Sequence, residues 1–234
     1  MKQQETYRMG GINGAALKWL AIITMTIDHV GVGLIGPYNR VTVGYFSEMY
    51  VYTRLIGRLA FPIFVFLIVQ GYQHTSNLRK YLIQLLTFAF ISEVPFDRMS
   101  SGQLVNMNHQ NIFFTLFLGV AGLAAWEYLE KKGQSIIQFL QLVLVIILAE
   151  RLNVDYGWYG ILFIFGVGIL RDNKINQTLF GVVMGFTQML TASLSFLPIW
   201  YYNGERGKQN KWFFYLYYPV HLFIIYLIRQ WFIV

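Results

Sequence analysis

Eight continuous apolar runs, separated by short polar loops, decide what this chain can fold into. They cover about residues 17–36, 55–72, 81–95, 112–129, 136–149, 157–170, 178–202 and 212–233. The runs are unbroken rather than alternating, so they read as helices and not as barrel strands. A helix needs about 20 residues to cross hydrocarbon. Several runs are shorter and are expected to borrow from their flanks, tilt, or lie inside a bundle. With 56% of residues hydrophobic and only 12% charged, a soluble domain of 234 residues has too little polar surface to cover itself. An aromatic share of 18% excludes disorder. The expected class is an all-α, polytopic membrane bundle of about eight transmembrane helices, within about 7–10. Residues 1–16 read as a cytoplasmic N-terminal tail and 17–234 as one transmembrane domain. Asp28 and His29 interrupt the first run and no small-residue cleavage site follows it, which argues against a signal peptide.

Lys and Arg number 18 against 11 Asp and Glu, a net charge of +7. In a chain this apolar the basic residues read as cytoplasmic flanks of membrane spans, and no nucleic-acid partner is expected. Eight helices with the N-terminus inside put HTSNLRK, EKKGQS and RDNKINQ on the inner face. The outer face then takes DHVG, SEVPFD, NHQN, ERLNVDYG and the basic GERGKQNK loop near 204–211. That last loop dissents from the charge rule, and one span more or fewer before it would move it inside. Cysteine is absent, which removes disulfides, thiolate zinc sites and a cysteine nucleophile. There is no HExxH pair, Walker loop or GxSxG elbow, and no metal site is expected.

Chemistry is then sought among the polar groups inside the runs, where charge is costly and faces the bundle interior. Lys18 and His29 are eleven residues apart, which returns them to nearly one helix face, about 16 Å apart along the axis. A cation at the membrane edge suits a phosphate, and an imidazole deeper down suits proton transfer. The plainer reading is a snorkelling anchor and a hydrogen-bonded structural histidine. Asp28 points about 100° away from His29. It is a candidate to pair with Arg54 or Arg58, or to orient His29 through a neighbouring helix. Arg54 and Arg58, four apart, share a face and form an anion clamp for Asp28, Glu93, Asp97 or a bound ligand. Pro62 is expected to kink that helix, and Pro95 to end the third, freeing Glu93 and Asp97 to line a cavity. Asn111 and Thr115 share the first turns of the fourth helix, and Tyr217 and His221 those of the last. His221 is a second acid/base candidate, whereas His74 and His109 read as loop residues.

The segments LKWLAIITMTIDHVG, RLIGRLAFPIFVFLIVQGYQHTSNLRKYL, ISEVPFD, NIFFTL, DYGWYGIL, YNGERG and KWFFYLYYPVHL resemble the TraX family, in family order, from about residue 15 to 230. The resemblance implies a membrane acetylase: the namesake acetylates the N-terminus of conjugative pilin, and the wider group moves acetyl from cytosolic acetyl-CoA to acceptors across the membrane. One branch of that group shares a basic residue, ten intervening residues and a catalytic histidine, the spacing of Lys18 and His29. The branch's arginine pair is similar to Arg54 and Arg58, although the spacing here is RxxxR and not RxxR.

The expectation is therefore acetyl transfer from acetyl-CoA to an amine or hydroxyl in a pilin-like protein, lipid or glycan. Lys18, Arg54, Arg58, Arg79 and Lys80 are the candidates to meet the CoA phosphates. His29 is the general base, Asp28 or Glu93 its orienting group, and Arg58 or Asn111 the oxyanion donor. The competing classes are a proton-coupled transporter or lipid-handling protein, and a non-catalytic assembly factor for a surface appendage. The bilayer is the expected surround, and the sequence is compatible with an oligomer.

Overall fold

The structure, a computed structural model, describes residues 11–41 and 47–232. The described residues of the 1–16 tail begin at Gly11, and those before it lie outside the description. The described residues are mostly helical, with only two isolated β-bridges among them, and form an all-α bundle. Helix α1 (Gly14–Val30) is capped by the Asn13 side chain, which accepts from the Ala16 amide. It runs through a π-helical turn (Gly31–Ile35) into α2 (Gly36–Val41). Next come α3 (Ser47–Gly57) and α4 (Ala60–His74). The break between them at Arg58–Leu59 has a local cause: Pro62 has no N–H to give to the Arg58 carbonyl, and its ring crowds that carbonyl. The predicted kink is thus present.

Helix α5 (Leu78–Ser100) continues through Pro95, contrary to the expected stop. Its surroundings tolerate the missing amide, as helices in membranes do when neighbouring groups absorb the lost bond. Helices α6 (Ile112–Lys131), α7 (Ser135–Arg151) and α8 (Gly157–Ile169) match the predicted runs closely. Among the described residues, four segments are long and apolar enough to cross a membrane by themselves: Gly14–Asn39, Ser47–His74, Ile112–Lys131 and Lys211–Phe232. The chain is a membrane protein. Ile136, Phe139, Leu140 and Leu144 on α7 lie more than half exposed, the pattern of a face turned to lipid.

The run at 178–202 departs from expectation. It is two legs, not one. Helix α9 (Lys174–Gln188) ends where Met189 adopts extended backbone. The chain then returns through two short helices, α10 (Leu190–Leu194) and α11 (Phe196–Trp200). Gly181 and Gly185 permit the return: a Cβ on Gly181 would strike the Phe196 ring, and one on Gly185 the Ser193 backbone. Ser193 Oγ donates to the Val182 carbonyl across the hairpin at 2.9 Å. The GVVMG sequence here is a small-xxx-small signature of close helix approach that the run count overlooked.

The extra leg changes sidedness. The chain after α11 comes back to the start of α1: Ile12 donates to Tyr201 at 2.8 Å, and Gly14 to Glu205 at 2.8 Å. The 201–211 segment therefore lies at the same end of the bundle as the N-terminal end of α1, not at the opposite end as expected. The last helix, α12 (Lys211–Phe232), then runs back alongside α5 and α1.

Candidate active site

A cavity of about 500 Å³ lies between α1, α4 and α12, with α5, α6 and the 152–156 turn contributing walls. Its two ends differ in chemistry. At the end shared by the α1 N-terminus and the 201–211 segment it is lined by Lys18, His74, Arg206 and Lys211. At the far end it is lined by Asp28, His29, Asp155 and Tyr156. Lys18 Nζ donates to Gln209 Oε1 at 2.6 Å and lies 5.0 Å from the Phe214 ring centroid. Lys211 Nζ donates to Gln84 Oε1 at 2.5 Å. These ammonium groups are held by neutral partners, so their charge stays available to an anion. Lys18 and His29 are linked by eleven residues of α1, about 16 Å along its axis.

His29 is half-buried and belongs to a directional chain of hydrogen bonds. Its Nδ1 meets His221 Nε2 at 2.7 Å, and His221 Nδ1 meets the Tyr217 carbonyl at 2.8 Å. A carbonyl only accepts, so His221 Nδ1 must carry the proton, and in the neutral imidazole its Nε2 then accepts. His29 Nδ1 therefore donates, and His29 Nε2 is left with a free lone pair. That is the tautomer a general base requires. The Tyr217 hydroxyl bonds Thr26 at 2.8 Å, which ties α12 to α1 one turn before His29. A π-helical turn follows immediately after this part of α1, an irregularity common at functional sites.

The other predicted residues are distributed around this core. Asp28 does not orient His29; it accepts from Arg54 Nη1 at 2.6 Å, and the orienting partner is His221. Gly57 makes room for the Asp28 carboxylate, which a Cβ there would strike. Arg58 is outside the cavity lining, and its Nε is buried without a partner among the described residues. Glu93 accepts from the Asn111 side-chain amide and also from its backbone N–H at 3.3 Å. The Asn111 amide also donates to the Ala89 carbonyl at 2.7 Å, while its Oδ1 caps α6. Asn111 is fully buried and its amide protons are used, so it is not placed to hold an oxyanion. Arg79 and Lys80 are exposed in the first turn of α5 and do not line the cavity. Arg206 and Lys211 stand at the cationic end instead. The apolar runs alone place these two on the opposite face, because the return leg through α10 and α11 does not show as a separate run.

At the far end two loops close over the bundle. Gln110 donates to Asn153 at 2.9 Å and Asp155 to Gln110 at 2.9 Å. His109 Nε2 lies 3.4 Å from Asp155 Oδ1, and this hydrogen bond pushes the imidazole above its ordinary value. Asp97, fully buried, accepts from the Asn106 amide at 2.7 Å.

Fold and cavity together define a polytopic helical membrane protein with an internal, polarised, histidine-containing chamber. By its sequence the chain belongs to the TraX protein family, whose model matches residues 13–229. It is similar to the probable fimbrial assembly protein FimC, serogroup H1, of Dichelobacter nodosus, at 26% identity over 89% of this chain and 92% of that one. No solved structure matches it.

Proposed function

We propose that the protein is a membrane-embedded acetyltransferase that moves acetyl from acetyl-CoA to an amine or hydroxyl acceptor. The observation that carries this reading is the cavity itself: one chamber joins a cationic mouth to a histidine whose hydrogen bonds leave Nε2 basic. Lys18, Arg206 and Lys211 would hold the CoA phosphates, and the pantetheine arm would carry the thioester toward His29. His29 Nε2 takes the proton of the acceptor N–H or O–H as its lone pair attacks the thioester carbonyl carbon. The carbonyl then re-forms, the C–S bond breaks, and the sulfur leaves with the proton that His29 had taken.

Because acetyl-CoA is cytosolic, this reading puts the cationic mouth, and with it the start of α1, on the cytosolic side of the cell membrane. With the 201–211 segment at that end, Arg206, Lys208 and Lys211 join Lys131, Lys132 and Lys174 there, as the charge rule expects. The acceptor would reach His29 from the opposite end. The name of the FimC relative, a fimbrial assembly protein, favours an acceptor among surface-appendage proteins.

The same name also supports a second reading, a non-catalytic assembly factor. The two separate in purified protein in nanodiscs, given labelled acetyl-CoA and a short peptide with a free N-terminus. Thiol release with water as acceptor is followed in parallel. Acetyl transfer that disappears in His29→Ala is the expected result. Full activity in that variant removes the assignment, and absence of any transfer or thiol release favours the assembly factor.

A further inference from the structure

Attack on the thioester carbonyl puts negative charge on its oxygen, which needs a hydrogen-bond donor aimed into the chamber. The sequence candidates do not supply one, since Asn111 is committed elsewhere and Arg58 does not line the cavity. Three tyrosines stand at the His29 end. The Tyr217 hydroxyl donates to Thr26, and the Tyr218 oxygen accepts from the Ile112 backbone N–H. The Tyr156 hydroxyl has no hydrogen-bond partner among the described residues, although Tyr156 lines the chamber beside Asp28 and Asp155.

The backbone at Tyr156 is unusual. Its φ is +63°, in the left-handed region, and only Asn153 among the other described non-glycine residues has a positive φ. An aromatic residue there is strained, and such strain persists only where the surroundings over-determine it. Here they do. Tyr156 precedes the first residue of α8, its amide meets its own neighbour's carboxylate at Asp155, and its ring lies flat on Phe61 at 3.7 Å and 5°. Phe61 is itself buried against Phe163 and Tyr159. A clamped ring with an unengaged hydroxyl costs no reorganisation when charge develops next to it.

We propose that Tyr156 is a catalytic residue whose hydroxyl donates to the thioester oxygen as the tetrahedral intermediate forms, an inference that rests on the acetyltransferase reading. The electron pair of the C=O bond moves to oxygen, the Tyr156 O–H holds it, and the pair returns when the C–S bond breaks. No proton leaves Tyr156.

Tyr156→Phe keeps the ring and its stack on Phe61 and removes only the hydroxyl. The expected result is a kcat for acetyl transfer lower by about 10²–10³-fold, with KM for acetyl-CoA within about twofold. Thermal unfolding of the variant in the same nanodiscs reports whether the clamp survives. A folded Tyr156→Phe protein with kcat close to wild type overturns the assignment. If that variant unfolds, 3-fluorotyrosine at position 156 keeps the hydroxyl and alters its acidity. A changed kcat is then expected, and an unchanged one overturns the proposal. A wild-type protein that neither transfers acetyl nor releases thiol overturns the functional reading itself, and this assignment with it.

Discussion

His29 derives its readiness from a residue 192 positions away. In catalytic triads a carboxylate fixes the histidine tautomer; here a second, neutral histidine does so, itself fixed by a main-chain carbonyl. On the acetyltransferase reading His221 is thus a positioning residue. His221→Ala is expected to lower kcat by about 10²-fold while leaving KM for acetyl-CoA little changed. His221→Gln, which can still present an acceptor oxygen to His29 Nδ1, is expected to recover much of the loss. Equal damage in both variants would point to simple packing. At the mouth, Lys18→Gln is expected to raise KM for acetyl-CoA about tenfold, the scale of one charge-assisted hydrogen bond, with kcat nearly unaltered. Steady-state kinetics at fixed ionic strength read this directly. The Lys18–His29 spacing was legible because helical periodicity converts sequence distance into geometry. His221 was legible as a candidate but not as the orienting group, since no periodicity relates residues on α1 to residues on α12. Arg54 with Asp28 was one of several pairings that charge alone allowed, and packing at Gly57 selected it.

Between elements, close approach is governed by a few glycines. Gly57 lets α3 pass over the Asp28 carboxylate, so Gly57→Ala is expected to destabilise by about 1–3 kcal/mol through overpacking. A lowered unfolding temperature in nanodiscs checks it, and an unchanged one would mean that the Asp28–Arg54 pair can shift aside. The two loops over the far end are joined partly by a titratable contact. Folding raises the His109 value above the ordinary 6.5, first through the hydrogen bond it donates to Asp155 and also through the charges of Asp155, Glu93 and Asp97. A raised histidine contributes its stability fully below the unfolded value and loses it as pH rises through the folded value. Unfolding temperature is therefore expected to fall as pH is raised from about 6 to about 8, and His109→Gln should flatten that slope. A slope that survives the substitution would assign it to another group. Most helix boundaries were readable because continuous apolar runs have few alternatives. The errors came where tertiary contacts override local rules: α5 continuing through Pro95, and the hairpin at Met189.

Across the whole molecule, the positions of the ends of the helices are open to a direct test. The chain has no cysteine, so single introduced cysteines report sidedness without background. Cysteine at Ser76 and at Lys208 should react with a membrane-impermeant maleimide from the same side of the bilayer, and cysteine at Gln103 from the other. Labelling of positions 76 and 208 from opposite sides would discard the arrangement in which residues 178–202 make two legs. That arrangement depends on α10 and α11, each of five residues. They are too short to be recognised individually as spans, yet they determine which way the last helix enters the bilayer. Without this return leg, α12 would insert inverted, separating Lys211 from Lys18 and taking His221 away from His29. An insertion or deletion near Met189, in a stretch that contacts no proposed substrate, would therefore dismantle both ends of the chamber at once. Tolerance to changes of length should be lowest at this inconspicuous bend, and the molecule's sidedness is inherited from it.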